Sequence, residues 1–314
     1  MTIPYTKIPL SAENQLALLK LRGLIIDDES KAVAYLQGIS YYRLSAYFLP
    51  YQSVKDTFEN NITFEQIIKT YLFDRELRLL VFDFIGRIEI AVRTQFIYQM
   101  ALYHNDSHWQ DNKNHFAKPY PKKNGDLVDT YANFQTIILK ARNARTPEAF
   151  IGHYLKNYGE PPNPPSWMCF ELLTIGELSH IYKGLKDNAD KKRVADFFDV
   201  SHTTFASWLH TLAYVRNICA HHSRLWNRDL AIEPKKILKP RGSWIDESFE
   251  NNKRVFYFLC TLRYLLLRVN PQNSMTQKIE NLFDKYPTVP IKFLGIPSDG
   301  EGNLLDWKSE PLWK

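Results

Sequence analysis

The segment Leu212-Ala-Tyr-Val-Arg-Asn-Ile-Cys-Ala-His-His-Ser-Arg-Leu-Trp-Asn-Arg228 gathers arginine, asparagine and two adjacent histidines in a few turns of chain. These residue types suit RNA cleavage without a metal. The ribose 2′-hydroxyl attacks the neighbouring phosphorus when a base takes its proton and an acid protonates the leaving 5′-oxygen. Histidine titrates near neutrality and serves in either role. An arginine fork stabilises the extra negative charge of the pentavalent transition state. Asn217 can hold the imidazole or a phosphate oxygen. The expected products end in a 2′,3′-cyclic phosphate and a 5′-hydroxyl. DNA lacks the attacking group and should resist.

These side chains must be positioned by a helix that starts near Thr203. At about 100° per residue, with Phe205 as zero, Trp208, Leu209, Leu212, Val215 and Cys219 fall within about −80° to +40°. That is an ordinary core stripe. Arg216 falls at about +20°, inside it. A guanidinium keeps its charge there, so it needs an anionic partner or a wet cleft. Asn217 and His221 share another face, and His221 stands about 140° around from Arg216. One straight helix does not bring the two onto a single phosphate; a kink or a second copy of the helix would.

The stretch after the motif is basic. Seven cations (Arg216, Arg224, Arg228, Lys235, Lys236, Lys239 and Arg241) face Asp229 and Glu233 between positions 216 and 241. A second such stretch, 113–145, includes Lys122 and Lys123. Either is a solvated loop or a track for an RNA backbone. Trp226 and Trp244 flank the first and can stack unpaired bases, although packing accounts for them equally well.

The rest of the 314-residue chain reads as mostly helical. It is 45% hydrophobic and 24% charged with a net charge of +6, a globular composition that permits a polyanionic partner. Glycine is scarce, at 12 residues, which disfavours glycine-looped nucleotide binders and turn-rich sandwiches. Gly23 stops a first helix, and Asp27 to Ser30 start a second. That pair also has the outline of a helix-turn-helix, though plain helical hairpins are commoner. Thr63-Phe-Glu-Gln66 fits a capping box at the start of a long helix reaching about Met100. Asp83/Arg87 and Glu89/Arg93 lace its polar side, Gly86 marks a kink or close packing, and Arg75, Arg78, Arg87 and Arg93 read as a solvated face. Residues 103–129 read as a surface loop or insertion. Helices follow near 131–144, 166–186, 188–199, 203–222 and 248–270. The tail ends in Trp307 and Trp313, which fold back as an irregular cover.

The expected organisation is an N-terminal helical unit (1–60), a helical core (61–270) and a C-terminal cover (271–314). Cys169, Cys219 and Cys260 are odd in number and form no CxxC, which suggests a reducing, cytoplasmic compartment. The N-terminus lacks a signal-peptide pattern, and no apolar run is long enough to span a membrane. No HExxH, no histidine–carboxylate set at ligand spacing and no GxSxG elbow appears, so neither a metal site nor a cofactor is expected.

Arg216-Asn217-Ile-Cys-Ala-His221 resembles the R-N-x-x-x-H signature of HEPN-domain ribonucleases, and its surroundings resemble the abortive-infection (AbiD/AbiF-like) family of bacterial phage-defence proteins. Three further blocks carry the likeness: Gly38-Ile-Ser-Tyr-Tyr-Arg-Leu-Ser-Ala-Tyr47; Phe73-Asp-Arg-Glu-Leu-Arg78 with Arg87-Ile-Glu-Ile-Ala-Val-Arg93; and Pro164-Pro-Ser-Trp-Met168 with Glu171 and Gly176. The resemblance spans about residues 10–270 and implies an all-α, HEPN-like bundle around four antiparallel helices. It implies Arg216, Asn217 and His221 as the catalytic set, with His222, Arg224 and Asn227 as accessories. It also implies a homodimer whose two copies line one cleft, and a small noncoding RNA as a restraining partner. Among the nine histidines only His221 and His222 follow an arginine by five to seven residues, so one chain supplies one motif. Catalytically inactive HEPN domains that only bind RNA form the competing reading.

Overall fold

The computed structural model describes residues 4–6, 8–122 and 124–314. Its helices follow from local signals that the sequence displays. Ser11 caps α1 (Ala12–Leu21) by accepting from the amide of Asn14, and Asp28 caps α2 (Glu29–Ile39) by accepting from Lys31. Between them Gly23 adopts φ +91°, the left-handed conformation that ends α1 without a Cβ clash. A short α3 (Tyr41–Ser45) and a hairpin of β1 (Gln52–Val54) with β2 (Thr57–Phe58) follow. The Thr63 capping box forms as expected: the Thr63 amide donates to Gln66 Oε1 (2.8 Å) and the Gln66 amide to Thr63 Oγ1 (3.2 Å). From it runs α4 (Phe64–His104), 41 residues long. Gly86 does not mark close packing, because a Cβ there would meet nothing within 4 Å.

The chain divides into two compact units, Met1–Leu79 with Gln277–Ile291, and Leu80–Thr276 with Lys292–Lys314. In the first, Leu16, Leu19, Leu36, Leu44, Phe48 and Phe58 form a small core. A charged network crosses it. Tyr47 donates to Asp74 Oδ2 (2.6 Å), and Arg78 pairs with the same oxygen. Asp74 is fully buried and Arg78 only 5% exposed, so Arg78 does not belong to a solvated face. Arg22, on the outlined helix-turn-helix, instead binds Tyr41 and pairs with Asp56 at 3.1 Å.

The second unit holds residues 80–104 of α4 and the helices that follow: α5 (Thr130–Arg142), α6 (Ala149–Asn157), α7 (Ser166–Cys169), α8 (Ile175–Gly184), α9 (Asn188–Phe197), α10 (His202–Ala220) and α11 (Val255–Val269). Aromatic contacts tie four of them together. Phe96 of α4 meets Tyr182 of α8, Tyr182 meets Phe205 of α10, and Trp208 of α10 meets Tyr264 of α11. Helix α11 is buried from Val255 to Leu266, and Arg263, the charged residue inside that stretch, donates to the Leu312 carbonyl and to Asn273 Oδ1.

Two expectations need correction here. The stretch 103–129 is a surface feature only in its second half, where β3 (Tyr120–Pro121) and β4 (Leu127–Val128) form an exposed hairpin. Its first half packs inward, with Trp109 fully buried against Phe96 and Phe170 and Phe116 beside it. The tail is also more regular than expected, since α12 (Met275–Lys285) forms within it. Beyond α12, Trp307 and Trp313 pack on each other and on Phe256. Among the described residues twelve α-helices and two small hairpins make the protein all-α. Among the described residues no helix is long and apolar enough to cross a membrane.

Candidate active site

Helix α10 begins where Ser201 accepts from the amide of Thr204. Phe205, Trp208, Leu209, Leu212 and Val215 are fully buried along one stripe, which fixes the helix's rotation. The loop beyond is laid back on it. Trp208 Nε1 donates to the Lys235 carbonyl (2.8 Å), and the Lys235 amide donates to Ser207 Oγ (2.9 Å).

Arg216 sits half-buried at the edge of the stripe, its guanidinium over the Phe82 ring of α4 at 5.6 Å. No carboxylate lies within 4.0 Å of it among the described residues, but Glu89 of α4 is near enough to feel its charge. Burial raises the Glu89 carboxyl above its ordinary value, and the charges of Arg93 and then Arg216 oppose that rise. Glu89 is also held by Arg93 Nη2 at 3.2 Å, while Arg93 Nη1 pairs with Glu171 at 3.1 Å and Nη2 donates to the Leu173 carbonyl. Arg93, 14% exposed, is therefore internal rather than solvated. Glu89, on another helix, is a carboxylate close enough for its charge and that of Arg216 to interact, though the two do not form an ion pair.

Asn217 is exposed beside Arg216 and accepts a long hydrogen bond (3.5 Å) from its Nη1. The helix then stops earlier than its apolar pattern suggests. His221 is the C-cap, and His222 adopts φ +55°. The Ser223 amide bonds to the Ile218 carbonyl (2.9 Å) and the His222 amide to Cys219 (3.1 Å), which together make a Schellman ending. His222 holds the left-handed position that glycine usually takes. His222→Gly should therefore raise the unfolding free energy by about 1 kcal/mol in urea titration.

Both histidines are exposed, and no hydrogen bond joins Arg216 to His221. Within one chain the structure brings Arg216 together with Asn217 and places His221 at the helix end. Of the accessory residues, Arg224 is half-buried and its carbonyl accepts from Arg228 Nε. Asn227 accepts from Arg254 Nη2 (3.0 Å) in a left-handed turn, which is a bracing role.

The basic stretch is partly neutralised. Lys236 pairs with Glu250 at 3.7 Å, and Arg241 with Asp196 at 3.1 Å. Lys235 reaches Thr203 Oγ1 (3.3 Å) and Lys239 is exposed. Lys122 is exposed on the 120–128 hairpin, and Lys123 lies outside the described residues. Trp226 is fully buried against Phe293, and Trp244 is stacked on Trp208 and edge-on to Tyr257 and Tyr264. Both tryptophans serve packing. All three cysteines are buried and none forms a disulfide.

Four sequence blocks thus meet in two places. The Gly38–Tyr47 and Phe73–Arg78 blocks join through Tyr47, Asp74 and Arg78. The Arg87–Arg93 block and Glu171 join through Arg93, and Arg216 of the motif lies near enough to Glu89 to feel its charge. A family model described as Abi-like protein matches residues 34–227, more than half of the chain and all four blocks. The chain belongs to the Abi-like family. Membership points to a role in abortive infection by phage. No curated protein and no solved structure matches this Abi-like chain.

Sequence reasoning missed Glu89 as a site residue; its only signal was its place between Arg87 and Arg93 in a quoted block. It also missed a histidine–carboxylate group that spacing does not reveal: His104, His115 and Asp190 converge in space.

Proposed function

We propose that this Abi-like protein is a HEPN-type endoribonuclease that cleaves RNA by 2′-hydroxyl attack without a metal. Arg216 stabilises the phosphorane charge, Asn217 orients a phosphate oxygen or the imidazole, and His221 transfers protons, with His222 and Arg224 close by in the chain. The observation that carries this reading is the exposure of Asn217 and His221 at the end of α10, beside the Arg216 guanidinium that lies over the Phe82 ring. Lys235, Lys239, Arg228 and Lys122 are the cations best placed to draw a phosphate backbone, while Lys236 and Arg241 must first leave their carboxylates.

One motif per chain makes a homodimer with a composite cleft the working assembly, as the family resemblance implies. The role is phage defence, with a small noncoding RNA as the restraining partner. A second reading is favoured by the lack of any bond between Arg216 and His221 in one chain. In it the protein binds RNA without turnover.

The test is incubation of purified protein with single-stranded RNA in excess EDTA, below its melting temperature. Cyclic-phosphate ends, a rate per chain that rises with protein concentration, and inert DNA are the expected results. Tight, salt-sensitive binding with intact RNA would select the second reading.

A further inference from the structure

The same unit holds a second cluster that the proposed cleavage chemistry does not use. His104 is the last residue of α4, His115 ends the short 3-10 turn Lys113–His115, and Asp190 lies in the first turn of α9. One donor atom from each lies within 4.8 Å of the others. We propose that these three residues bind one divalent transition cation of the zinc type, with a fourth position left to water.

The distances suit such an ion. Donors around a tetrahedral zinc stand about 3.3 Å apart, given bonds of about 2.0 Å. His104 Nε2 and Asp190 Oδ1 are already 3.2 Å apart. The His104 and His115 rings lie 4.2 Å apart, centroid to centroid, so small side-chain rotations close the remaining gap. Two imidazoles with one carboxylate form a mixed N/O set, which favours zinc-like ions over magnesium or calcium.

The backbone holds the donors in place before any ion arrives. The Lys186 amide donates to the His115 carbonyl and the Ala117 amide to the Gly184 carbonyl, both at 2.8 Å. This bridge fixes the 115–117 segment against the chain leading into α9. Asp190 is buried with His104 as its hydrogen-bond partner. An ordinary ion pair would need nothing more, and the second imidazole is the part it does not explain. Arg193 stands 3.8 Å from the shared oxygen, its guanidinium spread on the Tyr103 ring at 3.2 Å.

The cluster is separate from the cleavage site. Glu89 and His104 are about 22 Å apart along α4 at the helical rise. The ion would clamp the end of α4, the inward-packed segment and α9, and would leave cleavage at moderate temperature to the motif.

Chelator-treated full-length protein, reconstituted with Zn2+ alone, tests this. One zinc per chain should remain after gel filtration, and the melting temperature should climb with free zinc. Co2+ in its place should give the visible absorption of a tetrahedral site. His115→Ala, with its fold checked by circular dichroism, should lose at least ~10-fold in zinc affinity, whereas His153→Ala on the surface should not. A parent that retains no stoichiometric zinc and gives no cobalt bands overturns the proposal. So does a folded His115→Ala variant that keeps its zinc.

Discussion

Alanine at His221 should slow RNA cleavage by about 10²–10⁴-fold, the usual worth of a positioned proton-transfer group. Arg216→Ala should cost about 10²–10³-fold by removing charge stabilisation from the transition state. Neither change should unfold the protein. His221 is exposed with its backbone already capping α10, and Arg216 rests on the outer surface of Phe82 rather than in the core. The two losses should not multiply, because groups that act on one phosphate act as a unit. Single-turnover rates with a labelled oligonucleotide, alongside circular dichroism, measure both. Parental rates in either variant would place the cleaving groups elsewhere. The composite-cleft reading adds a further expectation. Mixing the two inactive variants should restore partial activity if each copy donates a different group, since mixed dimers then carry one intact constellation.

Asp74→Ala should cost about 3–5 kcal/mol of stability, the largest expected effect away from the motif. It would strand the Arg78 guanidinium, 5% exposed, without its carboxylate. Tyr47 would lose its acceptor at the same time. Burial, and next the Asp74 charge, raise the Tyr47 hydroxyl far above its ordinary value, so it remains a donor at every working pH. The penalty comes from the uncompensated charge more than from the lost bond. Replacing the pair together, Asp74→Leu with Arg78→Met, should therefore recover most of it. Urea unfolding of the three proteins decides the matter. An alanine variant within about 1 kcal/mol of the parent would mean that water reaches Arg78.

The sequence displayed those parts of the fold that local chemistry determines. The Asp27–Ser30 stretch and the Thr63–Gln66 box marked helix starts, and the stripe from Phe205 to Val215 fixed the buried face of α10. What it hid was decided at a distance. Arg93 looked solvated because its partner Glu171 is 78 residues away. Trp109 and Phe116 lie in a stretch rich in histidine, asparagine and lysine, and only the helices around them make it core. Helix α12 carries Met275, Ile279, Leu282 and Phe283 at helical spacing, but its polar remainder masked the period. The candidate site divided in the same way. The motif residues are neighbours in the chain, whereas Glu89 and the His104–His115–Asp190 group exist only once the chain is folded.

The change of handedness between His221 and His222 sets the length of the motif as well as the end of a helix. Arg216 to Ala220 is little more than one turn, closed on one side by the Phe82 contact and on the other by the capping bonds. An inserted residue would carry either the guanidinium off its ring or the imidazole off the terminus, by about 100° of rotation. The number of residues from Arg216 to the terminus is thus constrained, and a spacing that looks like a requirement of chemistry is one that backbone closure imposes as well.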